Sequence, residues 1–261
     1  MKRNVLVSSN ILIFIVIGIA VIIFILSLKS SLTKISDTYQ NKIAVIMHVG
    51  NINIFREIVH DYPKFFTRFD LFISCNTTED KESILSQFPN AHVTVYENRG
   101  MDIGPFLKTI KIIPTDYDYY IKIHTKSDKK WRDTLLKNID IDFFLTKENS
   151  NEIELYGAKE KLVGGMVNPC DFTYIHDIIN RNYSTIPFDC KKKMCFIAGT
   201  IFVCNKAYIK ELKKIKDIDY EYSILETGYV TQTKEDFKKT HSWEYFLGYI
   251  VYLHNTKIIE L

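Results

Sequence analysis

Three stretches of the 261-residue chain combine side chains that do chemistry. The first is Glu97-Asn98-Arg99-Gly100-Met101-Asp102-Ile103-Gly104-Pro105-Phe106. Arg99 can meet a phosphate or pair with Glu97, and Asp102 can cap a helix or hold a polar ligand. Gly100 and Gly104 let the backbone take unusual angles and approach a neighbour closely. A turn closed by a helix cap accounts for the same residues. The second runs from Lys122 through His124, Lys126 and Asp128 to Arg132, with five Lys or Arg in 11 positions. Clustered cations at a strand end suit a diphosphate, and a solvated charged face reads the same way. His124 and Asp128 are candidate ligands for a divalent ion, although no third ligand follows at a fitting spacing. The third is Thr240-His241-Ser242-Trp243-Glu244, where Ser242 reads as a helix N-cap and Glu244 falls in the first turn. An acid there complements the helix dipole. Partial burial beside Trp243 would instead lift its pKa into the range of a general base.

The elements that must position these stretches alternate. Strands are expected at 43–48, 69–75, 92–96 and 117–124, and helices at 52–62, after Thr77-Thr78 as far as Pro89, and at 102–113. This order predicts an α/β fold with a mostly parallel sheet flanked by helices. Ligands of such sheets bind beyond the carboxyl ends of the strands, which directs attention to the segments after His48, Cys75, Tyr96 and His124. Further strands are expected at 162–165 and 196–204, and helices at 205–215 and 242–253.

Residues 11–28 carry no charge and are apolar enough to span a bilayer, behind the basic pair Lys2-Arg3. The run is too long for a cleaved leader and has no small-x-small site after it, so an uncleaved signal-anchor is expected. The organisation is then a short flank at 1–10, a transmembrane anchor at 11–28, a stalk at 29–41 and one domain at 42–261. Basic residues flank both ends of the anchor, and the orientation stays open. Residues 40–261 hold 30 basic and 30 acidic groups. A neutral body speaks against nucleic acid as a partner. The five cysteines show neither CxxC spacing nor a disulfide lattice, and Asn76 and Asn182 begin N-x-S/T tripeptides.

Taken together, several stretches resemble the rhamnan synthesis protein F family of glycosyltransferases. They are IAVIMHVG (43–50), FDLFIS (69–74), ENRGMDIGPFL (97–107), YDYYIKIHTKSDKKWRDTLL (117–136), GGMVNP (164–169), AGTIFV (198–203) and HSWEYFLGYI (241–250). The resemblance implies a GT-A-like, Rossmann-like domain, here behind the membrane helix expected at 11–28. It implies transfer of a sugar, rhamnose or another deoxyhexose, from a nucleotide-sugar donor to a glycan or lipid-linked acceptor, with inversion. Glu244 is then the base. Asn98, Arg99, Gly100 and Asp102 bind the donor, and His124 and Lys126 contact its diphosphate or a metal, with Asp128 as metal ligand. The chain departs from the GT-A pattern where a DxD motif would hold Mn²⁺ or Mg²⁺. The strand here ends in His124-Thr125-Lys126, which puts the metal in doubt and leaves Lys126, Lys129 or Arg132 to neutralise the diphosphate. Two other readings stand beside this one. One is a membrane-anchored glycan-binding protein without catalysis. The other is a metal-dependent hydrolase using His48, His124 and His241, which no HExxH spacing supports.

Overall fold

The structure, a computed structural model, describes residues 40–157, 173–183, 195–231 and 238–261. The expected anchor at 11–28 and the expected strand at 162–165 lie outside these residues. Among the described residues no helix is long and apolar enough to cross a membrane. Asn41, read as the end of the stalk, is buried, and its amide donates to the carbonyls of Phe144 and Lys147, both at 2.7 Å.

The first half alternates as expected: β1 (Ile43–Val49), α1 (Ile52–Asp61), β2 (Asp70–Cys75), α2 (Thr78–Gln87), β3 (His92–Val95), α3 (Ile103–Ile112) and β4 (Tyr119–His124). Local chemistry sets the helix starts. Asn51 Oδ1 accepts from the amides of Asn53 and Ile54, and Thr77 Oγ1 accepts from that of Asp80, so each closes orphan donors of a first turn. Asp102 holds the N-cap place of α3 without capping it.

The chain continues through α4 (Lys129–Lys137), α5 (Ile141–Thr146), β5 (Leu155–Gly157), α6 (Thr173–Asn182), β6 (Phe202–Asn205), α7 (Lys206–Leu212), α8 (Ile218–Ser223), α9 (Lys239–Leu253) and β7 (Ile259–Glu260). The sheet runs β3-β2-β1-β4-β6-β5-β7. Strands β3, β2, β1 and β4 are parallel, whereas β6 is antiparallel to both β4 and β5. Among the described residues six of the seven strands therefore run the same way, so the mostly parallel sheet that was expected is found, with β6 alone reversed. The cause lies in the turn before β6, which enters the sheet beside the carboxyl end of β4, so β6 has to run back the other way. Gly199 and Thr200 in that turn have φ of 77° and 50°. Strand residues do not adopt this left-handed conformation, and the strand expected at 196–204 starts only at Phe202.

The two sheet faces divide by the period of two. Ile43, Val45, Met47 and Val49 of β1 join Tyr119, Ile121 and Ile123 of β4 in one core, with Phe55, Leu136 and Phe144 from the covering helices. Ala44, Ile46, Phe72 and Tyr120 join the other core, with Phe106, Leu107 and Ile110 of α3 and Trp243, Phe246 and Leu247 of α9. His48, Ser74, Lys122 and His124 continue this second face to the carboxyl end of the sheet.

Helix α9 also corrects an expectation. It starts at Lys239, and the carboxylate of Glu226 closes its first turn by accepting from the amides of Lys239 (2.7 Å) and Thr240 (3.0 Å) and from the Thr240 hydroxyl (2.7 Å). Ser242 is not the cap; it is buried, with its hydroxyl donating to Lys238 O. Glu244 thus sits more than a turn inside the helix. Asn182, the second tripeptide asparagine, is also buried, and its amide donates to Ile178 O and Glu221 Oε1, which closes it to modification.

Candidate active site

The order in which strands are added reverses between β1 and β4, the central parallel pair: β2 and β3 lie on one side of β1 and β4 on the other, and the last paired residues of β1 and β4 are His48 and His124. This is the switch point at which open α/β sheets bind ligands. Four segments meet there: the ends of β1 and β2, the loop from β3 into α3, the end of β4, and the turn at 197–200 with α9 behind it.

The loop into α3 is held by its own geometry. Gly100 and Met101 take positive φ (71° and 51°), and a Cβ on Gly104 would stand 2.0 Å from Arg99 O. Arg99 does not point at open space. Its guanidinium donates to the carbonyls of Ser223 (3.1 Å) and Leu225 (2.9 Å) and pairs with Glu97. Gly100 N donates to Glu226 O and Gly228 N to Asn98 O, so residues 98–100 and 225–228 form a short ribbon. Asn98 itself is exposed.

Asp102 is 7 % exposed and committed within the protein. Its Oδ2 accepts from Lys122 Nζ (2.5 Å) and from the Thr200 hydroxyl, while Oδ1 lies 3.8 Å from His124 Nδ1. Burial by itself would raise its pKa. The charge of His124, that of Lys122 and the two hydrogen bonds outweigh burial and hold it well below the usual carboxylate range. Lys122 is 2 % exposed, lies between the rings of Phe106 and Phe202, and gives a second bond to Thr200 O (2.8 Å). The lysine read as part of a cationic diphosphate cluster is therefore an interior residue.

His48 is neutral near pH 7. Burial lowers His48 to about 4 against the pull of Asp102, and its Nδ1 lies 3.1 Å from Ser74 Oγ. Burial also lowers His124, whose Nε2 lies 2.8 Å from Gly199 O. A carbonyl only accepts, so Nε2 carries the proton there.

Glu244 approaches from α9. Its Oε1 accepts from Gly199 N at 2.9 Å. Burial pushes its carboxyl up to about 7, with the Gly199 bond and the charges of Lys122 and Lys126 pulling the other way. Lys126 is half-buried, with its ammonium 3.6 Å from the centre of the Trp131 ring. Burial lowers its pKa, while Glu244 and Asp102 act to raise it. The rest of the basic run goes elsewhere. Lys129 pairs with Asp61 and Asp133, and Arg132 is buried against Glu57 and Lys126 O. Asp128 caps α4 by accepting from Trp131 N.

The structure thus brings Asp102, His124, Lys126 and Glu244 together, with the Asn98–Gly100 ribbon beside them. It keeps Asp128, Lys129 and Arg132 apart. His48, Ser74, Lys122 and Thr200 complete the site; the sequence offers Lys122 only as part of the basic run and His48 only for a hydrolase, and does not point to Ser74 or Thr200, although the period of two along β1, β2 and β4 places the first three on one face. A divalent ion does not fit this donor set. Asp128 is spent as a cap, the Asp102 carboxylate is neutralised by a lysine, and no cluster of three or more His, Cys, Asp or Glu converges among the described residues.

Residues 6–255 match the family model described as rhamnan synthesis protein F. No curated protein matches the sequence. Among solved structures, 4-diphosphocytidyl-2C-methyl-D-erythritolsynthase from Anaerococcus prevotii DSM 20548 is similar at 10% identity and a TM-score of 0.33, over 84% of this chain and 87% of that one. This is a distant likeness from which no function follows.

Proposed function

Because the chain belongs to the rhamnan synthesis protein F family, we propose that it is a glycosyltransferase that moves a sugar, rhamnose or another deoxyhexose, from a nucleotide-sugar donor to a glycan acceptor. The observation that carries this reading is the Glu244 carboxyl. It is desolvated to a pKa of about 7, held by an amide, and set beside Lys126 at the switch point of the sheet. A base with that affinity is half deprotonated at neutral pH and binds a proton well when one arrives.

In this mechanism Glu244 takes the proton of an acceptor hydroxyl. The acceptor oxygen bonds to the anomeric carbon as the bond from that carbon to the diphosphate breaks, with inversion. The leaving nucleoside diphosphate takes both electrons of the broken bond, and Lys126 meets its growing negative charge. Asn98 and the backbone around Gly100 hold the donor, and Arg99 shapes that ribbon from behind. No step passes through a metal ion. The uncharged run at 11–28 anchors the domain to a membrane, where lipid-linked acceptors are presented. Release of nucleoside diphosphate from one member of a nucleotide-sugar panel, lost in Glu244→Gln, tests the reading. Glycan binding by a protein that turns over no member of the panel would replace it with a non-catalytic binding role.

A further inference from the structure

Lys122 and Asp102 form an ion pair in the middle of the fold, 2 % and 7 % exposed. Placing two charges there is costly, and apolar residues of similar volume often fold as well or better. Such a pair calls for a role besides stability. Its contacts show where it acts. Asp102 stands at the end of the turn that contains Gly100 and Met101 with positive φ, and Thr200 stands in the turn that contains Gly199. Lys122 Nζ bonds to both turns, to Asp102 Oδ2 and to Thr200 O, and the Thr200 hydroxyl crosses to Asp102. His124, two residues along the same face of β4, fastens Gly199 O. The peptide N–H of Gly199 is the donor to Glu244. One chain of bonds therefore runs from the sheet interior to the carboxylate of α9. Two left-handed residues in sequence, one of them a threonine, are unfavourable by themselves, so the turn depends on this chain to keep its shape.

We propose that the Lys122–Asp102–Thr200 network is a positioning device that sets the Gly199 amide, and through it the geometry of Glu244, rather than a donor-binding or stabilising element. This rests on Glu244 being the base, as proposed above. Lys122, Asp102 and Thr200 do not touch the reacting atoms in this account. They act through the turn.

The test is a doubly neutral variant of the full-length protein in detergent, Lys122→Met with Asp102→Leu, which removes both charges together and leaves neither one unpaired. Its melting temperature is expected to match or exceed that of the wild type, while kcat falls roughly 10²-fold, the scale of a misplaced catalytic group. The acid limb of the pH–rate profile is expected to move up. Loss of the Gly199 bond raises the Glu244 pKa. Loss of Lys122 also raises it and loss of Asp102 lowers it, so these two offset, and Lys126 is unchanged. Thr200→Val keeps the β-branch and the ion pair and removes only the hydroxyl bond. It is expected to lose several-fold in kcat at an unchanged melting temperature, and it decides the matter if the double variant does not fold. Full activity with an unmoved pH profile in a folded double variant, or in Thr200→Val, overturns the proposal. If the wild type turns over no nucleotide sugar, the reading above fails separately. The positioning claim is then read from the Gly199 amide resonance and the Glu244 carboxyl titration by NMR, both of which must shift in these variants; unshifted signals overturn it.

Discussion

The backbone N–H of Gly199 donates to Glu244 Oε1 across 2.9 Å, and this bond joins the turn before β6 to the helix that carries the proposed base. It opposes the burial that raises the carboxyl to about 7 from its ordinary 4.5. Turnover needs the ionised form, so the rate should climb with pH through about 7 and then level. Stability should run the other way. Between pH 4.5 and 7 the folded protein holds the proton more tightly than the unfolded chain, so stability falls as pH rises through that window. Glu244→Gln should therefore be more stable than the wild type at pH 8, by about 1–3 kcal/mol, and melt close to it at pH 4. An equal melting temperature at pH 8 would contradict the raised pKa.

Gly104 and Gly228 offer a contrast in what a methyl group costs. A Cβ on Gly104 would lie 2.0 Å from Arg99 O, which is backbone and cannot swing aside. Gly104→Ala should destabilise by about 3 kcal/mol or more and disorder the donor loop. Gly228 has φ +77° and nothing within 4 Å of the same position, so Gly228→Ala carries only the backbone strain, about 1 kcal/mol. Chemical denaturation of the two variants should rank them in that order.

The basic run is expected to divide by function. Lys126→Met removes the cation facing Glu244 and should lower kcat by about 10²-fold, as loss of a charge-stabilising group does. Lys130→Ala removes an exposed cation one turn further along and should change kcat less than about twofold. Equal losses in the two variants would mean that the run acts as a diffuse field.

The proposed anchor at 11–28 makes a separate prediction. The full chain should stay with membranes through an alkaline carbonate wash and leave them only in detergent. Release by carbonate would rule out a spanning segment at 11–28.

Much of this architecture was legible in the sequence where local rules govern. The order from β1 to β4 followed from periodicity and from the cap at Thr77, which bonds within its own first turn. The rest depended on distant partners. The start of α9 is set by Glu226, 13 residues before Lys239, so Ser242 looked like the cap. The direction of β6 is set by two left-handed residues, of which only Gly199 announces itself. Among the site residues, Glu244 and Lys126 were visible from type and place. Asp102 was visible as important, but its pairing with Lys122 and Thr200 was not, because a lysine in a basic run reads as a diphosphate contact or a solvated charge until the face of β4 it occupies is known.

The central claim is that Glu244 is the base of a sugar transfer. The most direct measurement is nucleoside-diphosphate release by the full-length protein from a panel of nucleotide sugars, with Mn²⁺ and with chelator, beside Glu244→Gln. In that variant the side-chain oxygen still accepts from Gly199, so only the basicity is lost. The account predicts turnover of one donor, unchanged by chelation and reduced at least about 10³-fold in Glu244→Gln. Turnover that survives in Glu244→Gln, or no turnover of any donor by the wild type, would contradict it.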